Sequence, residues 1–131
     1  ELARRCGATE VRTEPPAAGG YDLVVEAAGA TGTARTAVRL ARRGGRVALI
    51  GIPGVDERPP APADLVLGEI TLYTVFGAPP RAWTHAVRAF AAGALDPAVL
   101  ITHEVRLDDA AEAFRLLADP AAGAVKVLLR P

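Results

Sequence analysis

The sequence predicts an α/β protein built on a parallel sheet, and two observations carry this prediction. Residues 22–29 and 46–51 are apolar segments with β-branched residues, and each of them ends at a glycine. The segment between them has a helical pattern. Strands that are apolar almost throughout and are joined by a crossover helix are typical of a parallel sheet covered on both faces. Ligands of such sheets bind at the carboxyl ends of the strands, which here are residues 27–29 and 50–53.

The helix between the two strands is predicted from the spacing of its apolar residues. They fall at positions i, i+3, i+4 and i+7 and are Ala34, Ala37, Val38 and Ala41. We expect Thr31 or Thr33 to cap the first turn through its side chain. Gly44 and Gly45 are expected to end the helix, because glycine tolerates the positive φ that is common at a helix C-terminus.

The first twenty residues are predicted to hold only short elements. Residues 1–7 are interpreted as the last turns of a helix, with Leu2, Ala3 and Cys6 buried and Gly7 at its end. Residues 8–11 predict a short strand and residues 13–20 a loop. Because this helix has no capped start and the chain contains no methionine, we expect the chain to be the carboxyl-terminal part of a longer protein.

Strands and helices continue to alternate after the central unit. The proline-rich residues 53–62 predict a loop, and residues 63–67 a short helix. Residues 69–77 predict a strand whose one face carries Ile70, Leu72, Thr74 and Phe76. A helix over residues 81–94 follows, with an apolar face of Trp83, Val87, Phe90 and Ala91.

The carboxyl-terminal residues predict an extended segment, a helix and a last strand. Residues 99–105 are extended, and a helix begins at residues 107–109 with the stripe Ala110, Ala113, Phe114 and Leu117. Asp109 and Glu112 have the spacing of a capping box, and Asp119 with Pro120 ends this helix. Residues 124–129 predict the C-terminal strand.

Composition and charge limit the classes of function. A chain of 131 residues is long enough for one core but short for two ordinary domains. Fifteen basic residues offset fifteen acidic ones, so we expect no nucleic-acid or membrane-surface partner. No apolar run approaches the roughly 18 residues of a spanning helix. The single cysteine, Cys6, cannot form an internal disulfide, which favours the cytoplasm.

Residues 27–32 match a glycine fingerprint of dinucleotide-binding folds, with alanine in the first position. The fingerprint also requires an acidic residue at the end of the following strand, to hold the ribose hydroxyls. Ile50, Gly51 and Ile52 occupy that place, and Asp56 lies beyond it in the loop. We therefore favour a tight strand-to-helix turn over a primary pyrophosphate loop for residues 27–32.

An ordered series of short motifs resembles the carboxyl-terminal part of the medium-chain dehydrogenase/reductase family, the alcohol and polyol dehydrogenases. The series consists of residues 22–29, 48–53, 75–77, 100–103 and 107–114. It extends over nearly the whole chain, and the Leu-Ile-Thr-His motif at 100–103 is closer to the zinc-dependent branch than to the zinc-free quinone reductases. The resemblance implies that residues 1–131 are the carboxyl-terminal part of a Rossmann-type dinucleotide-binding domain. Its first βαβ portion is missing, and helices flank a parallel sheet that is followed by a C-terminal strand.

The resemblance also implies a set of cofactor-binding residues for NAD or NADP. Ala27, Ala28 and Gly29 would lie against the adenosine side. Ile50, Gly51 and Ile52 would bring backbone groups to the nicotinamide, where a side chain at position 51 would intrude. The backbone of Thr74 and Phe76 would bind the carboxamide. Lys126 would approach the pyrophosphate.

The family's catalytic residues and zinc ligands are not among the residues of this chain. We expect zinc in the full-length protein, but His85 and His103 lie 18 positions apart with no matching cysteine or carboxylate set, and we interpret them as structural. The substrate implied is a small alcohol or carbonyl compound. The resemblance further implies a homodimer formed through the strand at residues 70–76.

Alternatives to an alcohol or polyol dehydrogenase remain open at this point. One is a zinc-free quinone or enoyl reductase of the same family, and another is a nucleotide-binding enzyme such as a methyltransferase on a similar sheet. A third is a non-catalytic oligomerisation or nucleotide-binding module, since an exposed sheet edge can associate. By itself, this stretch of chain is expected to be catalytically inactive.

Overall fold

The computed structural model describes residues 1–17, 19–54 and 58–131. These residues form two compact units: residues 12–78, here called the central unit, and residues 1–11 with 79–131, here called the terminal unit. Asp56, weighed above as a ribose ligand, lies outside the described residues. In chain order the elements are α1 (Leu2–Arg5), β1 (Tyr21–Glu26), α2 (Thr33–Leu40), β2 (Ala41–Leu49), α3 (Pro62–Leu67), β3 (Thr71–Thr74), α4 (Pro80–Ala91), β4 (Ile101–Arg106), α5 (Ala110–Ala118) and β5 (Lys126–Arg130).

The central unit is a parallel sheet of three strands in the order β1-β2-β3. Helix α2 connects β1 to β2 and packs on both strands. Val47 on β2 is fully buried and packs with Ala37 and Val38 of α2. The apolar periodicity of α2 therefore marks the face that covers the sheet, and the predicted βαβ unit with parallel strands is confirmed.

The glycines predicted to end α2 have another role. The helix ends at Leu40, and β2 begins at once with Ala41. Gly44 lies inside β2 with φ +69°, where the pairing with β1 is interrupted between Tyr21 and Leu23. Its N–H donates to the carbonyl of Gly68 at 2.9 Å. The predicted helix end at Gly44 and Gly45 is therefore wrong. A glycine with positive φ occurs in irregular strands as well as at helix ends, so it does not distinguish the two.

Side-chain caps were also predicted where the structure has none. The N-cap of α2 is Gly32, at φ +84°, and the Thr33 hydroxyl donates to the carbonyl of Ala30 at 2.6 Å. Asp109 occupies the N-cap of α5 without a side-chain hydrogen bond. Glu112 pairs with Arg115 within the same helix, so its carboxylate is not used in a capping box.

Strand β3 is shorter than the predicted strand at residues 69–77, and its alternation is confirmed only over residues 70–73, since Thr74 and Phe76 of the predicted face are exposed. Ile70 and Leu72 are half-buried, whereas Thr71 and Tyr73 are exposed. Beyond Thr74 the chain stays beside β2, because the Val75 N–H donates to the Leu49 carbonyl at 2.9 Å.

The terminal unit contains a second parallel pair, β4 with β5, on which α5 packs. The apolar face of α4 is exposed, with Trp83 63%, Val87 62% and Phe90 59% accessible. In α5 only the smaller part of the predicted stripe is covered, since Ala113 is buried and Phe114 is 73% exposed.

Two predictions near the amino terminus are wrong. Residues 8–11 form no strand, and the predicted buried stripe of the first helix is not buried, since Ala3 and Cys6 are exposed and Leu2 is half-buried. Helix α1 is only four residues long, so it has little surface with which to bury a side chain. Within the described part of the chain, no helix is long and apolar enough to cross a bilayer.

Candidate functional site

The three strands of the central unit end side by side. Glu26, the last residue of β1, is the register partner of Leu49 at the end of β2, and Leu49 is the partner of Thr74 at the end of β3. The segments that follow these ends therefore leave the same edge of the sheet. They are residues 27–29, here called the first loop, residues 50–52, the second loop, and residues 75–76, the third loop.

The backbones of the first two loops touch at two glycines. A Cβ on Gly51 would lie 2.7 Å from the Cα of Gly29, and a Cβ on Gly29 would lie 2.7 Å from the carbonyl oxygen of Ile52. Gly29 also has φ +63°, a conformation that side chains other than hydrogen disfavour. The close approach of the two loops thus requires glycine on both sides.

A buried carboxylate lies beneath this contact. Glu26 is 7% exposed, and its Oε1 accepts hydrogen bonds from the N–H groups of Ala28 at 2.9 Å and Gly29 at 2.8 Å. A Cβ on Gly51 would lie 2.6 Å from the other oxygen, Oε2. The main chain adds two bonds, since the Glu26 carbonyl accepts from Ile50 N–H at 2.8 Å and Gly51 N–H at 3.1 Å. One residue therefore contacts both loops.

The hydrogen bonds decide the charge of this side chain. Burial alone would raise the pKa of Glu26, because a carboxylate loses solvation away from water. Hydrogen bonding with Gly29, Thr33, Ala28 and Gly51 acts in the opposite direction and holds the pKa of Glu26 below its ordinary value. The carboxylate is therefore ionised at neutral pH, and the hydrogen-bond donors compensate its charge.

The side chains that leave this edge are mainly apolar and exposed. Ile50 is 45% exposed, Ile52 75% and Phe76 85%. A cavity of about 620 Å³ lies beside the start of α2 in the same unit. It is lined by Pro15, Thr31, Gly32, Thr33, Arg35, Thr36, Arg39 and Asp64.

The structure brings together most, but not all, of the residues predicted from the sequence. Ala27, Ala28, Gly29, Ile50, Gly51 and Ile52 form the first two loops, and Thr74 and Phe76 lie at the end of β3 and in the third loop. Lys126 belongs to the terminal unit, where it begins β5 and lines a cavity of about 410 Å³ with Phe90, Leu100 and other apolar residues. Its part in a cofactor site stays a prediction.

The donors present do not make a metal centre. Among the described residues, no group of three or more His, Cys, Asp or Glu side chains could hold an ion. His85 is exposed on α4, and the Nδ1 of His103 lies 3.0 Å from the Thr102 hydroxyl. This chain therefore offers zinc no donor set within its described part.

Glu26 is the functional candidate that the sequence alone did not single out. It stands in the apolar run Leu23-Val24-Val25-Glu26-Ala27, directly before the first loop. A charged residue at the end of an otherwise apolar strand is the signal that could have marked it.

A parallel sheet with a crossover helix and glycine-rich loops at its carboxyl edge defines a nucleotide-binding domain of the Rossmann type. The family described as zinc-binding dehydrogenase matches residues 1–92, so the chain belongs to that family. This confirms the resemblance to the zinc-type medium-chain dehydrogenases.

Individual relatives agree with the family. The L-arabinitol 4-dehydrogenase of Aureobasidium melanogenum is 30% identical over 108 residues, which are 82% of this chain and 29% of the relative. The alcohol dehydrogenase structure from Thermus sp. ATN1 is 30% identical with a TM-score of 0.73, covering 86% of this chain and 32% of that one.

A third similar protein was solved with a cofactor. A structure from Sinorhizobium meliloti 1021, assigned as a zinc-binding dehydrogenase bound to NADP, is 34% identical with a TM-score of 0.72. The match covers 86% of this chain and 32% of that one. This chain thus spans less than a third of the length of these three relatives. None of them favours a methyltransferase or a non-catalytic module.

Proposed function

We propose that this chain is the cofactor-binding portion of an NAD(P)-dependent dehydrogenase that acts on an alcohol or a polyol. The observation that carries the proposal is the alignment of the three strand ends, which places the three loops at one edge. That edge is where parallel sheets bind nucleotides. Relatives named as arabinitol and alcohol dehydrogenases support the reaction class.

The chemistry of the loops suits a nicotinamide dinucleotide. The second and third loops present Ile50, Ile52 and Phe76, whose exposed apolar side chains suit a flat ring. In this proposal, backbone groups of Gly51, Thr74 and Phe76 bind the nicotinamide end of the dinucleotide. The first loop and the neighbouring cavity of about 620 Å³ suit the adenosine half.

The dinucleotide supplies the hydride chemistry when it is bound, and this chain orients it. The substrate would be a small alcohol in one direction and its carbonyl product in the other. Zinc is proposed for the full-length protein, following the family description, but the described residues offer it no donor set. No catalytic step is therefore assigned to residues of this chain. The single exposed cysteine is compatible with a reducing cytoplasm.

The proposal is tested by titrating NADH and NADPH into the purified full-length protein and following cofactor fluorescence. Ile52→Ala should weaken binding about five- to tenfold, because an apolar contact of roughly 1 kcal/mol is lost. Its side chain is 75% exposed, so the fold should be retained. Val66→Ala on α3 is the matched control, since Val66 is also 75% exposed but lies outside the three loops.

Equal loss of affinity in Ile52→Ala and Val66→Ala would place the binding elsewhere on the central unit. Absence of binding of either nucleotide by the full-length parent protein would contradict the proposed function.

For the oligomeric state, we propose a homodimer in which β3 pairs antiparallel with β3 of a second copy. Strand β3 lies at an edge of the sheet, which supports it. The Val75 N–H is already bonded to Leu49, so proline at position 75 would disturb the sheet itself and would not report on the dimer.

Tyr73 offers a sharper test of the dimer. It lies at the middle of residues 70–76 and is 41% exposed. A two-fold axis through that point would place the Tyr73 side chains of both copies opposite each other, so Tyr73→Lys would oppose two like charges. Sedimentation should show loss of dimer for Tyr73→Lys but not for Tyr21→Lys, the matched change on the other edge strand. A monomeric parent chain would contradict this assignment.

A further inference from the structure

The proposed function gives no role to the Glu26 carboxylate, although it is the one acidic side chain among the buried described residues. A buried carboxylate is costly unless each oxygen is hydrogen-bonded. Here Oε1 accepts from Ala28 and Gly29, and the other oxygen, Oε2, lies against Gly51, 2.6 Å from where a Cβ would be. The carboxylate therefore contacts both the first loop and the second loop.

We propose that Glu26 is a positioning residue that fixes the first and second loops relative to each other, so that their backbone groups are held ready for the dinucleotide. This inference rests on the proposed function, because it assigns a role within the same cofactor site. Glu26 acts on the cofactor only through the loops that it holds, so it is a positioning residue and not a catalytic one.

The geometry explains why a side chain is needed for this task. The two loops meet at Gly29 and Gly51, where neither residue has a side chain that could interlock with the other. The main-chain bonds from Ile50 and Gly51 to the Glu26 carbonyl fix the start of the second loop. The carboxylate fixes the first loop from below, through the N–H groups of Ala28 and Gly29 at 2.9 Å and 2.8 Å.

The requirement is for a carboxylate and not merely for a polar side chain. A carboxylate has two acceptor oxygens, whereas a glutamine has one acceptor oxygen and a donor NH₂ group. In Glu26→Gln the NH₂ group would therefore face either the N–H groups of Ala28 and Gly29 or the main chain at Gly51. The groups that contact the carboxylate from the first loop, the start of α2 and the second loop are backbone groups and the Thr33 hydroxyl, none of which titrates near neutral pH.

The test compares parent, Glu26→Gln and Glu69→Gln in two measurements. Glu69 is the matched control, because it lies in the same unit, is exposed and pairs with Arg43 at 2.5 Å. The first measurement is the NMR chemical shift of the Gly29 and Gly51 amides. The second is the affinity for NAD and NADP by calorimetry, with thermal unfolding recorded in parallel.

In Glu26→Gln we expect the amides of both loops to shift, including that of Gly51, and the cofactor affinity to fall about tenfold. Glu69→Gln should change neither. In the parent, lowering the pH until Glu26 protonates should move the Gly29 amide in the direction seen for Glu26→Gln, and the variant itself should not respond.

Three results would overturn the inference. Unchanged amides in Glu26→Gln would show that the carboxylate does not hold the loops. Shifted amides and a lower unfolding temperature with unchanged affinity would show a purely structural role. If the parent bound neither NAD nor NADP, the proposed function and the cofactor role of Glu26 would fail together, and the Gly51 amide would still decide whether Glu26 joins the loops.

Discussion

The two units of this chain differ in how their helices are used. In the central unit, the apolar face of α2 is buried against the sheet, with Ala37 at 3% and Val38 at 5% exposure. In the terminal unit, the apolar face of α4 is mostly exposed, and Phe114 and Leu117 of α5 are 73% and 52% exposed. The same periodicity therefore has two outcomes within one chain.

The difference teaches what an amphipathic pattern does and does not predict. Periodicity identifies which side of a helix is apolar, because it depends on the sequence of that helix alone. Burial depends on whether another element lies over that side. For α2 the covering surface is β1 and β2 of the same unit, whereas no described residue covers Trp83, Val87 and Phe90 to that extent.

Two valines give the largest expected contrast between the units. Val47→Asp places a charge at a fully buried position of β2 and should lower the free energy of unfolding by about 4 kcal/mol or more. Val87→Asp on α4 changes an exposed position and should cost less than about 1 kcal/mol. Urea denaturation followed by circular dichroism measures both. If Val87→Asp were as costly as Val47→Asp, the face of α4 would be covered in solution.

A pair of glycines tests the close contact within the central unit. Gly51→Val would drive Cβ to within 2.6 Å of the Glu26 carboxylate, and overpacking of this kind costs about 1–3 kcal/mol. The family resemblance implies that a side chain at position 51 would intrude on the nicotinamide, but the chain's own atoms already occupy this space. Gly54→Val is the control, because no atom lies within 4 Å of a Cβ built there. Equal stabilities of the two variants would contradict the contact.

Lys126 tests whether the terminal unit takes part in cofactor binding. It is the only lysine of the chain and is exposed at the start of β5. Lys126→Ala should weaken NAD(P) binding about ten- to hundredfold if its ammonium group contacts the pyrophosphate, and less so at high salt. Arg88→Ala on α4 serves as the control for loss of an exposed positive charge. Affinity equal to the parent's at low salt would remove Lys126 from the site.

Acidification is expected to give the smallest difference in stability between variants of the two units. The pKa of Glu26 is lowered by hydrogen bonds despite its burial, and that of exposed Glu104 is lowered by the hydrogen bond and charge of Arg130. A glutamate whose pKa is lowered by folding stabilises the folded state fully above its pKa in the unfolded chain, which is about 4.3. This stabilisation is lost as the pH falls through the pKa of the same group in the folded state. Denaturation between pH 6 and pH 3 should show that the free energy of unfolding falls less on acidification for Glu26→Gln than for the parent. For Glu104→Gln the fall in the free energy of unfolding on acidification should stay close to that of the parent, since exposed ion pairs contribute little to stability.

The sequence predicted the elements well where a pattern is local. The spacing of Ala34, Ala37 and Val38 identified the buried side of α2, and the apolar runs identified β1 and β2 as parallel strands. It failed where one residue type serves two structures. Gly44 has the positive φ that was expected of it, but in an irregular strand and not at a helix end.

The candidate site was predicted in its position but not in its internal contacts. Residues 27–29 and 50–52 were identified because strand ends follow from strand order. The hydrogen bonds of Glu26 depend on which N–H groups a folded loop turns inwards, and no sequence pattern encodes that. The exposure of Cys6 likewise depends on what packs against a four-residue helix.

The meeting of Gly29 and Gly51 also constrains how this protein can change over evolutionary time. A larger residue in most packed pairs can be accommodated when its neighbour becomes smaller. Here both partners are already the smallest residue, so a substitution at either position has no compensating substitution at the other. Glycine is therefore required at both positions, and selection of folded variants from a library that randomises them should return glycine at both.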